Sequence, residues 1–192
     1  MLKGDAFMDT NAKLYQDLES ILLTRDEIQA AVKKLGQQIT KDYAGKEPLL
    51  VCILKGAVVF YTDLIREIDL PLNLEFMSIS SYGASTKSSG VVNIRKDLDV
   101  DVTDRDIIIV EDIVDSGMTL SFLKKVFATR NAASVRIATL LNKPARRRVD
   151  LDVEYYCFNI PDAFVVGYGL DYAAICPISV YCIPEFIPKK NK

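Results

Sequence analysis

The stretch from Glu111 to Thr119 has the residue types best suited to chemistry. It reads Glu-Asp-Ile-Val-Asp-Ser-Gly-Met-Thr and directly follows the apolar run at residues 107–110. Glu111 and Asp112 offer hard oxygen atoms, which suit the hydroxyls of a ribose or the water shell of Mg²⁺. A third carboxylate follows at Asp115. Three carboxylates at the end of a buried strand repel one another and lose solvation, so a bound ligand explains them better than a structural role does.

The turn after these acids offers a second kind of chemistry. Ser116 and Thr119 supply hydroxyl groups, and Gly117 supplies a backbone that a ligand can approach closely. A helix that begins here would point exposed N–H groups and the positive end of its dipole at the turn, which makes the turn a phosphate cradle. The same residue types are common helix caps, and it is the neighbouring acids that favour the phosphate interpretation.

Composition excludes several classes of site. The 192 residues contain no histidine, which excludes Ser-His-Asp and Cys-His nucleophiles, His-based zinc sites and haem held by a proximal His. Lys and Arg (24) nearly balance Asp and Glu (26), so there is no general attraction to nucleic acid or anionic membranes. The four cysteines lack Cys-x-x-Cys spacing, and no apolar stretch is long enough to span a bilayer. These features predict a soluble, cytoplasmic protein with reduced thiols.

Alternating strand-like and helix-like runs must position the acids and the turn. Strands are predicted at 19–23, 48–54, 72–80, 91–98, 106–112, 134–141, 153–158, 164–166 and 178–182, and helices at 24–43, 57–68 and 118–130. Thr24 and Glu27 have the spacing of a capping box. Strands buried on both faces and separated by helices predict a mostly parallel sheet, and such sheets bind ligands beyond the carboxyl ends of their strands.

The segment at 110–119 resembles the phosphoribosyl-pyrophosphate motif of the type I phosphoribosyltransferases. The rest of the chain, from about residue 24 to residue 184, is similar to the hypoxanthine-guanine branch of that family. Lys143 adds to the resemblance because it lies 21 positions before Phe164, as the family pattern expects. Three further segments carry it: Leu54-Lys55-Gly56, Ser81-Tyr82-Gly83, and Phe-Val-Val-Gly-Tyr-Gly-Leu-Asp-Tyr at 164–172.

The resemblance implies a fold and an activity. The fold is α/β, a mostly parallel twisted sheet flanked by helices, with a small hood formed by the chain-terminal segments and a mobile lid loop. We expect a single domain over 1–192, with its core at about 24–170 and the hood formed by the N-terminal segment and about 171–192. The implied activity is purine salvage: Mg²⁺-dependent transfer of a 5-phosphoribosyl group from phosphoribosyl pyrophosphate to N9 of hypoxanthine or guanine, which gives IMP or GMP and pyrophosphate. Members of the family are dimers or tetramers.

The resemblance also implies roles for the donor-binding residues. Glu111 and Asp112 would lie against the ribose hydroxyls and magnesium, and Asp115 would be the base that handles the purine N7 proton. The 5′-phosphate would be held by Asp115, Ser116, Gly117, Met118 and Thr119. Pyrophosphate would be bound by Lys55 and Gly56, next to a non-proline cis peptide at Leu54-Lys55, and by Arg147.

The purine-binding residues follow in the same way. Lys143 would donate to the purine O6, Phe164 would stack on the base, and Val165 would offer main-chain contacts. Asp171 resembles the direct magnesium ligand of the family and would also lie beside the purine. Ser81 and Tyr82 would open the lid over the reacting centre.

One departure from the family pattern leaves alternatives open. The family commonly has an Arg six residues after the magnesium Asp, whereas this chain has Pro177. Weaker donor binding, compensation by an Arg at 146–148, and altered substrate preference are all consistent with this change. A xanthine-preferring enzyme is the runner-up, and an RNA-binding regulator on the same fold is a further alternative, although a pI near 5.3 gives it little support.

Overall fold

The computed structural model describes residues 20–81, 92–170 and 180–183. Every strand and α-helix within them lies within two residues of its predicted bounds, whereas the short 3₁₀ turn after β6 was not predicted. The strands are β1 (Ser20–Leu23), β2 (Leu49–Leu54), β3 (Asn73–Ser81), β4 (Val92–Lys96), β5 (Asp106–Val114), β6 (Ser134–Asn142), β7 (Tyr155–Asn159), β8 (Phe164–Val166) and β9 (Val180–Ile183). The helices are α1 (Arg25–Asp42), α2 (Val58–Arg66) and α3 (Met118–Thr129), with a 3₁₀ turn at Pro144–Arg146.

The main sheet has six strands in the order β4-β3-β2-β5-β6-β7. All neighbouring strands in it are parallel except β4, which runs antiparallel to β3. The carboxyl ends of β2, β5 and β6 therefore lie side by side at one edge of the sheet. This arrangement confirms the predicted fold class, a mostly parallel sheet flanked by helices.

Helices cover both faces of this sheet, because alternate residues of β2 and β5 point to opposite sides. On one face Leu50 and Ile108 pack in a core that contains residues of α1 and α2. On the other face Val51 and Ile109 pack in a core that contains Leu123 and other residues of α3. The two central strands are thus buried on both faces, which explains their continuous apolar sequences and fixes the positions of their ends.

A second sheet has three strands in the order β1-β9-β8, and its two pairings are antiparallel. It joins residues from both terminal parts of the chain. Residues 171–179 and 184–192 of the predicted hood, and the predicted lid from Tyr82 onward, lie outside the described residues. Hood and lid therefore stay predictions. No described helix is long and apolar enough to cross a membrane.

Candidate active site

A cavity of about 540 Å³ opens where the carboxyl ends of β2, β5 and β6 meet β8. Seven residues predicted from the sequence line it. The lining consists of Lys55, Gly56, Asp112, Ile113, Asp115, Lys143, Phe164, Val165, Gly169 and Leu170. The position agrees with the rule that parallel sheets bind ligands beyond the carboxyl ends of their strands.

Glu111 and Asp112 form an acidic pair near the end of β5. The Asp112 carboxylate accepts a hydrogen bond from the Ile113 amide at 2.6 Å. Neither carboxylate forms an ion pair with a basic side chain of the described residues. Burial, followed by the charge of Asp112, raises the pKa of Glu111, and burial also raises the pKa of Asp112. Two desolvated carboxylates that pair with no described basic side chain suit a ligand that carries hydroxyls or positive charge.

The strand that carries this pair is longer than the sequence predicts. The prediction ends it at Asp112, whereas β5 continues to Val114. The reason is pairing with β6, since Ile113 and Val114 lie opposite Leu141 and Asn142. Asp115 is consequently the first residue beyond the strand.

The acidic pair has the donor chemistry that Mg²⁺ prefers. Mg²⁺ is commonly held by one or two carboxylates together with substrate phosphates, so the carboxylate of Asp112, which lines the cavity, fits it. Glu111 precedes Asp112 on β5 and is not among the residues that line the cavity. Within 20–81, 92–170 and 180–183, no group of three or more metal-binding side chains comes together. Asp171, the third predicted ligand, lies outside the described residues.

The loop after β2 lies directly against Asp112. The Leu54–Lys55 peptide bond is cis, as the resemblance implies. A Cβ atom added at Gly56 would overlap the Asp112 carboxylate, so only glycine lets the loop approach the acid this closely. Lys55 and Gly56 are thereby held at the cavity beside the acidic pair.

We expect Gly56→Ala to lower kcat/KM for the phosphoribosyl donor about 10²-fold, because the added methyl group must displace either the loop or the Asp112 carboxylate. Steady-state kinetics with varied donor concentration measures the effect. Gly45→Ala is the control, because an added Cβ at Gly45 would meet no atom within 4 Å, while the positive φ of Gly45 (+77°) makes alanine strained there and so tests the effect of lost stability alone. Equal losses in the two variants would contradict this role of Gly56.

The turn at 115–117 leads into the N-terminus of α3. Gly117 is the N-cap residue, with φ of +77°, and it provides no side-chain cap. Ser116 Oγ accepts only a long bond of 3.5 Å from the Met118 amide. The first N–H groups of α3 thus lack a strong side-chain cap, which favours the phosphate interpretation over ordinary capping.

Two arginines at the end of the 3₁₀ turn, Arg146 and Arg147, lie beside this phosphate turn. The Arg147 guanidinium lies beside Gly117 and donates to Asn142 Oδ1 at 2.5 Å through Nη2. Its Nη1 is buried and has no hydrogen-bond partner among the described residues, and burial lowers the pKa of Arg147. Arg147 does not line the cavity beside Lys55, so its predicted pyrophosphate role stays a prediction.

The other arginine contacts the predicted base. Arg146 Nε donates to Asp115 Oδ1 at 2.9 Å, and its Nη1 donates to Asp162 Oδ2 at 3.3 Å. Arg146 is one of the three arginines that could compensate for the family Arg replaced by Pro177. No spacing rule could have found this pair, because 31 positions separate Arg146 from Asp115.

Lys143 and Phe164 also line the cavity. Lys143 is only 7% exposed, and its Nζ donates to the Ala163 carbonyl oxygen at 2.6 Å. The Phe164 side chain at the start of β8 is 38% exposed, and Val165 is buried. An ammonium group and an aromatic ring therefore stand together at the cavity wall, as the sequence predicts for a purine site.

Comparison with known proteins decides the family. The sequence profile of the phosphoribosyl transferase domain matches residues 20–173. The chain belongs to the phosphoribosyl transferase family. A curated relative, the hypoxanthine-guanine phosphoribosyltransferase of Bacillus subtilis, is 53% identical over 157 residues, which are 82% of this chain and 87% of the relative. The enzyme of the same name from Streptococcus thermophilus is 52% identical over 159 residues, 83% of this chain and 88% of the relative.

Solved structures agree with this assignment. A crystal structure of a hypoxanthine phosphoribosyltransferase from Staphylococcus aureus has a TM-score of 0.86 and 42% identity, and the match covers 92% of this chain and 97% of that one. These similarities confirm the family and the fold class predicted from the sequence. They also confirm that the chain is a phosphoribosyltransferase enzyme.

Proposed function

We propose that this phosphoribosyltransferase transfers the 5-phosphoribosyl group of phosphoribosyl pyrophosphate to N9 of hypoxanthine or guanine. The observation that carries the proposal is one cavity lined by Asp112, Asp115, Lys143 and Phe164, with Lys55 and Gly56 at its edge. These groups supply, in one place, contacts for the sugar, the reacting proton, the purine and pyrophosphate. The names of the curated relatives support the same activity.

The acids act on the sugar and on the purine proton. As the bond from C1′ to pyrophosphate breaks and the bond to N9 forms, positive charge develops on the ribose, and the carboxylates of Glu111 and Asp112 stabilise it. Asp115 accepts the proton that leaves the purine at N7. Glu111, Asp112 and Asp171 would hold Mg²⁺, which would supply positive charge to stabilise the departing pyrophosphate.

The phosphate and the base are bound on two sides of this centre. The N-terminal N–H groups of α3, with Ser116 and Thr119, bind the 5′-phosphate. Arg147 lies beside this turn, and its unpartnered Nη1 supports a contact with the same phosphate. Lys143 donates to the purine O6. Because an ammonium group has donors and no acceptor, it favours a 6-oxo over a 6-amino purine.

Nucleotide formation from the donor and Mg²⁺ tests the proposal. Hypoxanthine, guanine, xanthine, adenine and uracil are offered in parallel at equal concentrations. We expect turnover of hypoxanthine, guanine or both, and none of adenine or uracil. Preference for xanthine would select the runner-up substrate, and absence of turnover with every base would overturn the proposed function.

Lys143→Met is expected to lower kcat/KM for hypoxanthine about 10²-fold, because the variant loses the donor to O6 in a buried site. The measurement compares wild type and variant with hypoxanthine as the varied substrate. Lys124→Met is the control, since Lys124 pairs with Glu154 at 3.1 Å and does not line the cavity. An unchanged kcat/KM in Lys143→Met would remove Lys143 from the purine site.

We also propose a homo-oligomer, assembled through an apolar surface formed by Val58 of α2 and by Leu74 and Phe76 of β3. These side chains are exposed by 38, 44 and 37% respectively, and β4 pairs with β3 only from Ser78 onward. Leu74 and Phe76 lie on the same face of β3, because alternate residues of a strand share a face, and exposed apolar side chains on one face are typical of protein interfaces. Phe76→Lys is expected to lower the assembled fraction by light scattering, whereas Tyr156→Lys, on the opposite edge strand, should not. A monomeric wild type would contradict this assembly.

Three expectations complete the proposal. The sheet β1-β9-β8, with the segment from 171 onward, forms the hood of a single domain, and residues 81–90 form the lid. Free thiols at Cys52 and Cys157 support a reducing, cytoplasmic location.

A further inference from the structure

The turn at residues 167–170 connects β8 with the segment that contains Asp171. It is closed by two backbone hydrogen bonds, in which Gly167 and Leu170 exchange N–H and carbonyl groups at 3.1 and 3.0 Å. Tyr168 and Gly169, at its centre, have positive φ values of 51° and 101°. Gly169 and Leu170 line the cavity, whereas Tyr168 points away from it and is 5% exposed. The position of this turn therefore sets part of the cavity wall.

Two contacts tie the turn to the loop and helix that follow β2. The Tyr168 hydroxyl donates to Asp63 Oδ2 on α2 at 2.5 Å, and burial with this bond raises the pKa of Tyr168. A Cβ at Gly169 would overlap the Gly56 carbonyl group, so the turn lies directly against Lys55 and Gly56, which we call the pyrophosphate loop. Because α2 begins two residues after Gly56, one short helix holds both the loop and the turn.

We propose that Asp63 and Tyr168 are a positioning pair. Their hydrogen bond keeps the turn at 167–170, on the purine side of the cavity, at a fixed position relative to the pyrophosphate loop. The inference rests on the proposed function and goes beyond it, because neither side chain lines the cavity. Loss of the hydrogen bond leaves a buried hydroxyl or a carboxylate without its partner, and the turn then shifts relative to Gly56. Binding of the purine and binding of the donor both depend on the position of the turn relative to Gly56.

Three single variants and one double variant test the pair. Tyr168→Phe and Asp63→Ala remove the hydrogen bond, and each is expected to raise the KM values for hypoxanthine and for the donor about tenfold, by misplacing the cavity wall. Asp63→Asn keeps an acceptor for the Tyr168 hydroxyl and is expected to restore both KM values to near wild type. The double variant Tyr168→Phe/Asp63→Ala should be no worse than either single variant, because both remove the same bond.

A matched control separates positioning from a merely structural role. The Tyr155 hydroxyl donates to Asp42 of α1 at 2.9 Å, and Tyr155 is also buried, but it lies at the start of β7 and outside the cavity. Tyr155→Phe should lower the thermal unfolding midpoint as Tyr168→Phe does, while both of its KM values stay unchanged. Thermal unfolding and both KM values are therefore measured for every variant.

The outcomes distinguish this pair from the proposed function. A wild type without turnover of any purine overturns the proposed function and removes the basis of the pair. An active wild type with unchanged KM values in Tyr168→Phe and Asp63→Ala overturns the pair alone. Equal KM changes in Tyr168→Phe and Tyr155→Phe also overturn it, because the effect would then follow from lost stability. If Asp63→Ala fails to fold, Tyr168→Phe and Asp63→Asn still decide the question.

Discussion

We expect Asp115→Asn to lower kcat for nucleotide formation about 10²–10⁴-fold, the usual contribution of a positioned general base. Asp115 lines the cavity immediately beyond β5, as Lys143 also does. An asparagine keeps the size of the side chain but cannot accept the proton that leaves the purine. Single-turnover kinetics with saturating hypoxanthine and donor measures the chemical step, and KM for the donor is expected to change much less than kcat.

The contact between Asp115 and Arg146 calls for a control, because the substitution also removes a charge from that arginine. Asp162→Asn removes the other carboxylate that Arg146 contacts, at 3.3 Å, and Asp162 does not line the cavity. We expect Asp162→Asn to keep kcat within about threefold of wild type, as befits a half-exposed ion pair. Equal losses in both variants would assign the effect to Arg146 rather than to proton transfer by Asp115.

Neutralising Glu111 of the acidic pair is expected to raise the stability of the protein and to lower its activity. Glu111→Gln removes a desolvated charge beside Asp112, and we expect the free energy of unfolding of the ligand-free protein to rise by about 1 kcal/mol at neutral pH. The same substitution is expected to lower kcat about 10²-fold, because a carboxylate no longer stabilises the charge that develops on the ribose. Urea unfolding and steady-state kinetics on the same preparation measure the two effects.

The pH dependence of this stability gain has a definite sign. The pKa of Glu111 in the folded protein lies above its unfolded value, so the protonated carboxyl contributes stability below the unfolded pKa, and this is lost as pH rises through the folded pKa. The advantage of Glu111→Gln should therefore be small below about pH 4, the ordinary range of a glutamate, and grow at higher pH. Asp26→Gln serves as a control, since Asp26 is exposed in the first turn of α1. A Glu111→Gln protein less stable than wild type at neutral pH would contradict the account.

Local sequence signals predicted the elements well because each rests on short-range physics. Thr24 and Glu27 form the expected capping box, with the Thr24 amide donating to Glu27 Oε2 at 2.8 Å and the Glu27 amide donating to Thr24 Oγ1 at 3.3 Å. The end of β5 was predicted too early, because Glu111 and Asp112 interrupt its apolar pattern. Its true length depends on pairing with β6, which no local pattern contains.

The candidate site likewise contains residues that the sequence predicts and contacts that only the structure reveals. The acids, the phosphate turn and Lys143 could be predicted because motif spacing and the strand-end rule place them together. The contacts of Arg146 with Asp115 and of Tyr168 with Asp63 join residues 31 and 105 positions apart, and only the tertiary arrangement brings them together. The overlap that restricts residue 56 to glycine likewise depends on the approach of the β2 loop to β5. Tyr82, Asp171 and Pro177 lie outside the described residues, and their roles stay predictions.

A crystal structure with bound GMP would show whether this cavity holds the nucleotide in the proposed orientation. We expect the 5′-phosphate on the N–H groups at the start of α3 with Arg147 Nη1 nearby, O6 within hydrogen-bond distance of Lys143 Nζ, N7 facing Asp115, and the base stacked on Phe164. GMP bound outside this cavity, or bound in it with the phosphate against Lys55 and the base at the α3 turn, would contradict the assignment of the site.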